Sequence, residues 1–469
     1  MKKIIQLSLI LLIKLNFVTA QSFQVDTLQL RGNLNKYINL VIMGDGYIST
    51  EQDSFISDAV NLVDYLFTQP PWSNYKNYFN VFAIKVISNQ SGAKHPNTAG
   101  DCSNASPQVP VSNSDTYLGC SFDSYGIHRL VVPFNTSNIV NALATNFPNY
   151  DQVFIISNTT YYGGSGGVYA TATVNISSNE IVAHEIGHSF AYLADEYYAG
   201  DMYAKEKPNM TKETDSTLVK WKNWNGYSGV GIFQHCCGGN SSLWYKPHTG
   251  CKMQYLGYPY CSVCTETIIE KTHFLANPIV SYQPIATTID SSTKVLDFKL
   301  TELMKPVPNT LKSTWKLDGA TISNNTDSIQ LNQDILSNGM HTLTTTVIDT
   351  TFLLRVDTHS TIHFSVVSWN INKKSTGIQL TATKNKISYS VFPNPSTSNL
   401  NVSLEYDKKS KLSLQVISSD GRIIEQITDE TSDNGKYFKT FSIDHFAKGN
   451  YVIVFKSGDI IHTKTFVKQ

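Results

Sequence analysis

The 469-residue sequence is short of several things, and each shortage narrows what the chain can be. Lys+Arg and Asp+Glu are both 37, so there is no net formal charge and no basic excess for a nucleic-acid backbone to hold. No run beyond the N-terminus has the roughly 20 apolar residues that a membrane-spanning helix needs. Gly and Pro, at 27 and 16, are at ordinary levels, which excludes collagen-like and low-complexity organisation. Cysteine is sparse, with seven in all.

The N-terminus reads as a signal peptide over residues 1–20. Lys2-Lys3 is a positive start, Ile4 to Ile13 an apolar stretch too short and too interrupted to span, and Val18-Thr19-Ala20 a cleavage-type ending. The mature chain then begins near Gln21 and is exported; no Cys follows the cleavage point, which argues against a lipid anchor. Export places the seven cysteines in an oxidising compartment. Cys102 and Cys120 bracket one loop, while Cys236, Cys237, Cys251, Cys261 and Cys264 crowd a second. Disulfides are the expectation, with a structural zinc on Cys261-x-x-Cys264 as the alternative.

Apolar runs at 40–43, 81–87, 129–132 and 153–156 read as strands, and helices are expected near 50–67, with Phe55, Val60, Val63 and Phe67 toward one face, and near 139–144. Strands alternating with helices predict a mixed α/β sheet. Tyr161-Tyr162-Gly163-Gly164-Ser165-Gly166-Gly167 contains G-x-S-x-G, but a nucleophile elbow leads from a strand straight into a helix. Here a period-two strand, Val168 to Ile176, follows instead. The glycines are therefore read as a hairpin tip before an edge strand, one that could hold an extended peptide by strand addition.

That strand leads into His184-Glu185-Ile186-Gly187-His188. Residues i and i+4 of a helix share a face, so two imidazoles at that spacing can reach one ion. The Glu beside the first His is placed to take a proton from a metal-bound water. Ser177-Ser178-Asn179-Glu180 is a capping box, with Ser177 at the N-cap. Catalytic zinc usually takes three protein ligands. Asp195 is the nearest candidate for the third, provided the chain turns back near 191–194, since a straight helix would carry it about 10 Å beyond His188. Glu206 and Glu213 are the rivals. Further on, Met253-Gln254-Tyr255 resembles the Met-turn of metzincin peptidases, which makes Tyr255 a candidate oxyanion donor.

Taken together, residues 39–270 resemble the metzincin-like zinc peptidases called IgA peptidases. The resemblance rests on Val41-Ile42-Met43-Gly44-Asp45-Gly46-Tyr47, the glycine run 162–167, His184 to Ala191 with Asp195-Glu196-Tyr197, Cys251-Lys252-Met253 and Cys261-Ser262-Val263-Cys264. It implies a zinc endopeptidase with His184 and His188 as ligands and Glu185 as general base. Where members of that family often carry Gly beside the residue matching Ala191, this chain has Tyr192.

After about residue 276 the cysteines stop and Thr, Val, Ile and Leu alternate. Residues 276–375, with Trp315-Lys316-Leu317-Asp318-Gly319, resemble an immunoglobulin-like β-sandwich. Residues 385–469, opening Phe392-Pro393-Asn394-Pro395 and passing through Ser419-Asp420-Gly421-Arg422, resemble the C-terminal sorting domain of type IX secretion.

The expected architecture is an α+β, mixed α/β zincin-like catalytic domain (21–275) followed by two all-β sandwiches. The expected function is a secreted zinc peptidase with Zn2+ on His184, His188 and Asp195. Its partners would be a protein or peptide substrate and the type IX secretion machinery. The alternatives are an inactive zincin-fold surface protein that binds glycans or proteins through its sandwiches, and a zinc hydrolase of other bonds.

Overall fold

The computed structural model of the chain describes residues 21–291, 293–374, 388–405, 410–418, 422–432, 436–457 and 460–469. The expected signal peptide, positions 375 and 385 at the ends of the two expected sandwiches, and Ser419-Asp420-Gly421 lie outside the described residues. The chain divides into two compact units, Met1–Ser73 with Phe79–Ala191, and Asn74–Tyr78 with Tyr192–Gln469.

The first unit is built on a six-stranded mixed sheet. Its strands are β1 (Val25–Gln29), β2 (Ile38–Asp45), β3 (Phe79–Ile84), β4 (Gln152–Ser157), β5 (Gly164–Ser165) and β6 (Ala170–Thr173), in the order β1-β3-β2-β4-β6-β5. The pairs β2/β3, β2/β4 and β4/β6 are parallel, and the flanking pairs β1/β3 and β5/β6 are antiparallel. Every residue of β2, β3 and β4 is buried, which is why the sequence shows continuous apolar runs rather than alternation. Helix α1 (Gln52–Leu66) buries Phe55, Ala59, Leu62, Val63 and Leu66, whereas Val60, expected on that face, points to solvent. Helix α2 (Thr136–Asn146) contributes Ile139, Ala142 and Leu143 to a core with Val41, Met43, Val153 and Ile155. Of the run 129–132, only Val132 joins a regular ladder, a two-residue pairing with Cys120–Ser121.

One buried side chain gathers part of the long segment between β3 and α2. Asp45, at the end of β2, is fully buried and accepts from Thr116 Oγ1 at 2.8 Å, Leu118 N at 2.7 Å and Cys120 N at 2.8 Å. Gly46 follows at φ 75°, and a Cβ there would stand 1.9 Å from the Gly92 carbonyl oxygen. Only glycine fits.

In the second unit, irregular chain leads to helix α3 (Ser262–Leu275) and then to β-structure. One three-stranded sheet pairs Ile279–Gln283, Val295–Leu303 and Ser328–Asn332. A five-stranded sheet runs in the order Thr288–Ile289, Ser365–Lys373, Gly339–Asp349, Leu311–Leu317, Ala320–Asn324. Burial alternates along Val295–Leu303 as it must for a sheet with one face in water. Trp315 and Trp369, both fully buried, stack with centroids 5.8 Å apart. The C-terminal strands form two further antiparallel sheets around Leu400, Val402, Leu412, Leu414, Val416, Ile453 and Phe466. A mixed α/β region followed by β-sheets is therefore what the sequence pattern produces.

Helix α3 (Ser262–Leu275) is tied by carboxylate–histidine contacts to the end of the strand Gly339–Asp349 and to the helical turn His359–Ile362 that follows. Glu270 meets His359 Nδ1 at 2.5 Å and His363 Nε2 at 3.1 Å, and His273 Nε2 meets Asp349 Oδ2 at 3.0 Å. Burial alone would raise Glu270, but the two histidines bring it down to about 2. Asp349, likewise buried, is brought to about 2 by His273, with Thr310 and Tyr75 also donating.

Candidate metal centre

The helix that carries His184, here the site helix, runs Ser178–Ala191. It begins where Ser178 N and Ile181 N bond to the carbonyls of Asn175 and Ser177, which puts Ser177 at the expected entry. Ile181, Val182, Ala183, Ile186 and Phe190 are buried, and Phe190 packs edge-on to Trp72 at 5.1 Å. Gln152 of β4 donates to Ser189 Oγ at 2.8 Å, pinning the far end of the helix to the sheet.

On its remaining face the His184 and His188 rings meet, with Nε2 atoms 3.1 Å apart. Two nitrogens bound to one tetrahedral zinc at about 2.0–2.1 Å would stand roughly 3.3 Å apart, so the pair fits a shared ion. Glu185 Oε2 lies 3.9 Å from His188 Nε2. The glycine hairpin between β5 and β6 closes on the same face. A Cβ on Gly166 would stand 2.5 Å from Glu185 Oε2 and 2.6 Å from His188 Cδ2, and one on Gly164 would stand 2.5 Å from Ile181 Cγ2. These glycines allow the hairpin to approach the helix. Ser165 is buried and donates its hydroxyl to the Val131 carbonyl at 2.5 Å, so it is no nucleophile. Contrary to expectation, β6 is not an edge strand: it pairs with β4 on one side and with β5 on the other, so the two residues of β5 form the edge and β6 has no open side for a peptide.

The residues beyond the helix belong to the second unit. The turn required for Asp195 occurs without glycine: Tyr192 itself takes a left-handed conformation, φ 57°. Asn209 then clamps the next residues, with Ala194 N donating to its Oδ1 at 2.7 Å and its Nδ2 donating to the Ala194 carbonyl at 2.9 Å. Asp195 is half-buried and acts electrostatically on His235, which burial and Lys246 hold below its ordinary value while Asp195 pulls it upward. The rival carboxylates are engaged elsewhere, Glu206 with Lys220 at 2.5 Å and Glu213 with the Asp215 backbone N–H at 2.8 Å. Met253 is fully buried, and its carbonyl accepts from Glu196 N at 2.8 Å. Tyr255 is 49 % exposed, and its hydroxyl accepts from Gln254 Nε2 at 2.9 Å.

Residues 27–229 match the family described as IgA Peptidase M64. This region is similar to M64 peptidases. M64 peptidases are metallopeptidases, and the described part of this chain carries side-chain groups able to hold a metal ion. Residues 390–469 match the secretion system C-terminal sorting domain, which indicates type IX secretion to the extracellular space or the cell surface. Among the described residues no helix is long and apolar enough to cross a membrane.

Solved structures add little to the M64 match. The chain is 13% identical to dimeric latent PorU from Porphyromonas gingivalis, covering 41% of this chain and 20% of that one at TM-score 0.18. It is 15% identical to the Bacteroides ovatus mixed-linkage glucan protein SGBP-B, covering 40% and 47% at TM-score 0.14. It is 11% identical to the Clostridium thermocellum CbhA fibronectin(III)-like modules, covering 40% and 94% at TM-score 0.14. The chain thus spans about a fifth of PorU and about half of SGBP-B. No curated protein matches it.

The cysteines depart from the sequence expectation. Only the neighbours Cys236 and Cys237 are bonded to each other, and Cys102, Cys120, Cys251, Cys261 and Cys264 are free and buried. Cys102 and Cys120 do not close their loop because each has another environment. Cys120 sits in the apolar core of the M64 region, while the Cys102 thiol donates to Asp123 Oδ1 at 3.2 Å. The same carboxylate accepts from Thr98 N at 2.8 Å and pairs with His128 Nδ1 at 2.8 Å, and His95 Nε2 lies 3.5 Å from its other oxygen. Sequence reading missed His95, Asp123 and His128. They are scattered along irregular chain with no helical or C-x-x-C spacing to reveal them.

Proposed function

We propose that the chain is a secreted zinc endopeptidase. His184, His188 and Asp195, side chains of a set that could hold one metal ion, are the zinc ligands, and Glu185 is the general base. The observation that carries the reading is the facing pair of imidazole nitrogens, 3.1 Å apart, with the Glu185 carboxylate beside them and the Gly166 backbone against both. When bound, zinc would acidify a water and polarise the scissile carbonyl. Glu185 accepts the proton of the attacking water and returns it to the leaving amine, which then departs neutral. Tyr255 is the proposed donor to the developing oxyanion.

The left-handed turn at Tyr192 supports Asp195 as the third ligand, because it ends the helix and removes the need to carry Asp195 about 10 Å up the axis. The engagement of Glu206 and Glu213 supports it further. We assign the zincin-like fold to 21–275, an immunoglobulin-like sandwich to 276–375 and the sorting domain to 385–469.

Metal analysis of the purified chain, joined to digestion of a random peptide library by wild type and Glu185→Gln, tests the proposal. Cleavage by wild type alone, with zinc retained in both, is expected. Zinc without cleavage in either protein would favour the surface-binding alternative, and absence of zinc would overturn the reading.

A further inference from the structure

Glu196, Cys251, Cys261 and Cys264 converge from three places in the second unit. All four are buried, and their ligand atoms lie within 4.8 Å of one another. Glu196 comes from the turn after the site helix, Cys251 opens the Met253 turn, and Cys261 and Cys264 sit at the N-cap and in the first turn of α3. We propose that these four side chains form a closed, tetrahedral structural zinc site, separate from the one that serves catalysis.

The distances are those of ligands around an ion rather than of a bonded pair. Cys251 Sγ and Cys264 Sγ are 3.7 Å apart. A disulfide would need about 2.05 Å. Two thiolates on one tetrahedral zinc at about 2.3 Å would stand ~3.8 Å apart. Cys264 Sγ lies 3.4 Å from Glu196 Oε1. A thiolate and a carboxylate oxygen sharing the same ion would be ~3.5 Å apart. Three thiols also cannot pair among themselves without leaving one over.

The carboxylate makes the second, independent argument. Glu196 is 0 % exposed, and its Oε2 has no hydrogen-bond partner among the described residues, a costly state for a buried carboxylate unless a cation is present. Its other oxygen is oriented by Asn209 Nδ2 at 2.9 Å, the kind of outer contact that fixes a ligating group. Cys261 N donates to Cys251 Sγ at 3.3 Å, as a backbone amide does to a metal-bound thiolate. Three thiolates and one carboxylate on Zn2+ carry a net −2. The buried Lys246, whose ammonium bonds to the Glu196 carbonyl at 2.6 Å, supplies a compensating positive charge. By contrast, the carboxylate of Asp123 in the His95–Cys102–Asp123–His128 group is already supplied with donors.

Such a site would fasten the residue next to Asp195 to the Met253 turn and to α3, three segments that otherwise share few regular hydrogen bonds. Its existence does not depend on the peptidase reading. The test is zinc stoichiometry of the full chain as wild type, Cys264→Ser and His184→Ala/His188→Ala. The Cys264→Ser variant should lose one zinc per chain, and the double-histidine variant should keep that zinc. If the catalytic assignment alone fails, wild type and the double-histidine variant hold the same zinc and Cys264→Ser still loses one. Should Cys264→Ser fail to fold, proteins with all three cysteines intact decide. After denaturation with chelator and without reductant, Cys251, Cys261 and Cys264 should all alkylate, and cobalt exchanged into the native double-histidine variant should show thiolate-to-metal charge transfer. A disulfide joining any two of the three, or zinc unchanged in a folded Cys264→Ser, overturns the proposal.

Discussion

The sheet unit and the C-terminal β-sheets bury different things. In residues 21–191 the interior holds Asn39, Asp45, Gln52, Asn80, His95, Asp123, His128, Gln152 and His184 among its apolar side chains. In residues 388–469 the buried polar side chains among those described are Ser396 and Lys468, and the rest of the core is aliphatic and aromatic. Each buried polar group costs free energy unless it is partnered, so a fold that retains many is using them to position something. The C-terminal sheets need only alternation to fold, whereas the sheet unit needs particular donors at particular places. Substitutions in the sheet unit should register in turnover, and substitutions in the apolar cores of the β-sheets that follow it in stability alone.

The strongest test of that contrast is Glu185→Gln. It should lower peptide hydrolysis by about 10²–10⁴-fold while leaving zinc content and melting temperature near wild type, read by kinetics, metal analysis and calorimetry. The converse lies in the five-stranded sheet. Trp369→Ala removes the ring stacked on Trp315 and should destabilise that part by about 3–5 kcal/mol, with kcat/KM per folded chain unchanged. Loss of turnover in folded Trp369→Ala would break the contrast.

Gly166→Ala sharpens it. The added methyl must displace Glu185 or His188, and an ångström of misplacement can cost roughly 10²-fold in kcat/KM. Gly238→Ala, where nothing lies within 4 Å of the new Cβ, is the control and should be silent in the same assay. The smallest effect concerns the ion pairs on α3. Glu270 and Asp349 are depressed to about 2 from ordinary values of 4.5 and 3.8. Groups depressed in the folded state give stability that is present above the ordinary values and is lost as pH falls through the folded ones. Thermal unfolding should therefore drop between about pH 4.5 and pH 2, by roughly 2–4 °C for each kcal/mol lost. Glu270→Gln should flatten that fall.

Much of the fold was legible because it rests on periodicity. The buried runs of β2 and β4, the capped helix at Ser177 and the alternation along Val295–Leu303 are all local patterns. The histidine pair was legible for the same reason, since one turn of helix brings His184 to His188. What could not be read depends on chain far away in sequence or on a residue adopting an unfavoured conformation. Tyr192 makes a turn that propensity assigns to glycine. Glu196 lies beside the residue chosen as a ligand, but its burial against cysteines 55 to 68 positions later leaves no local trace. Export suggested disulfides, yet the thiols of Cys251 and Cys264 stop at 3.7 Å, and only Cys236 and Cys237 are joined.

The carboxylate of Asp45 has a consequence for durability. If the chain is the peptidase proposed, release among its own copies would expose it to that activity, and long irregular surface segments are where nicking begins. To be cut, such a segment must be drawn out straight into a groove. Here one buried side chain gathers Thr116, Leu118 and Cys120 onto the end of β2, so that stretch cannot be extended without first breaking three hydrogen bonds in the interior. The resistance of the chain to its own kind would then rest on an aspartate that takes no part in cutting.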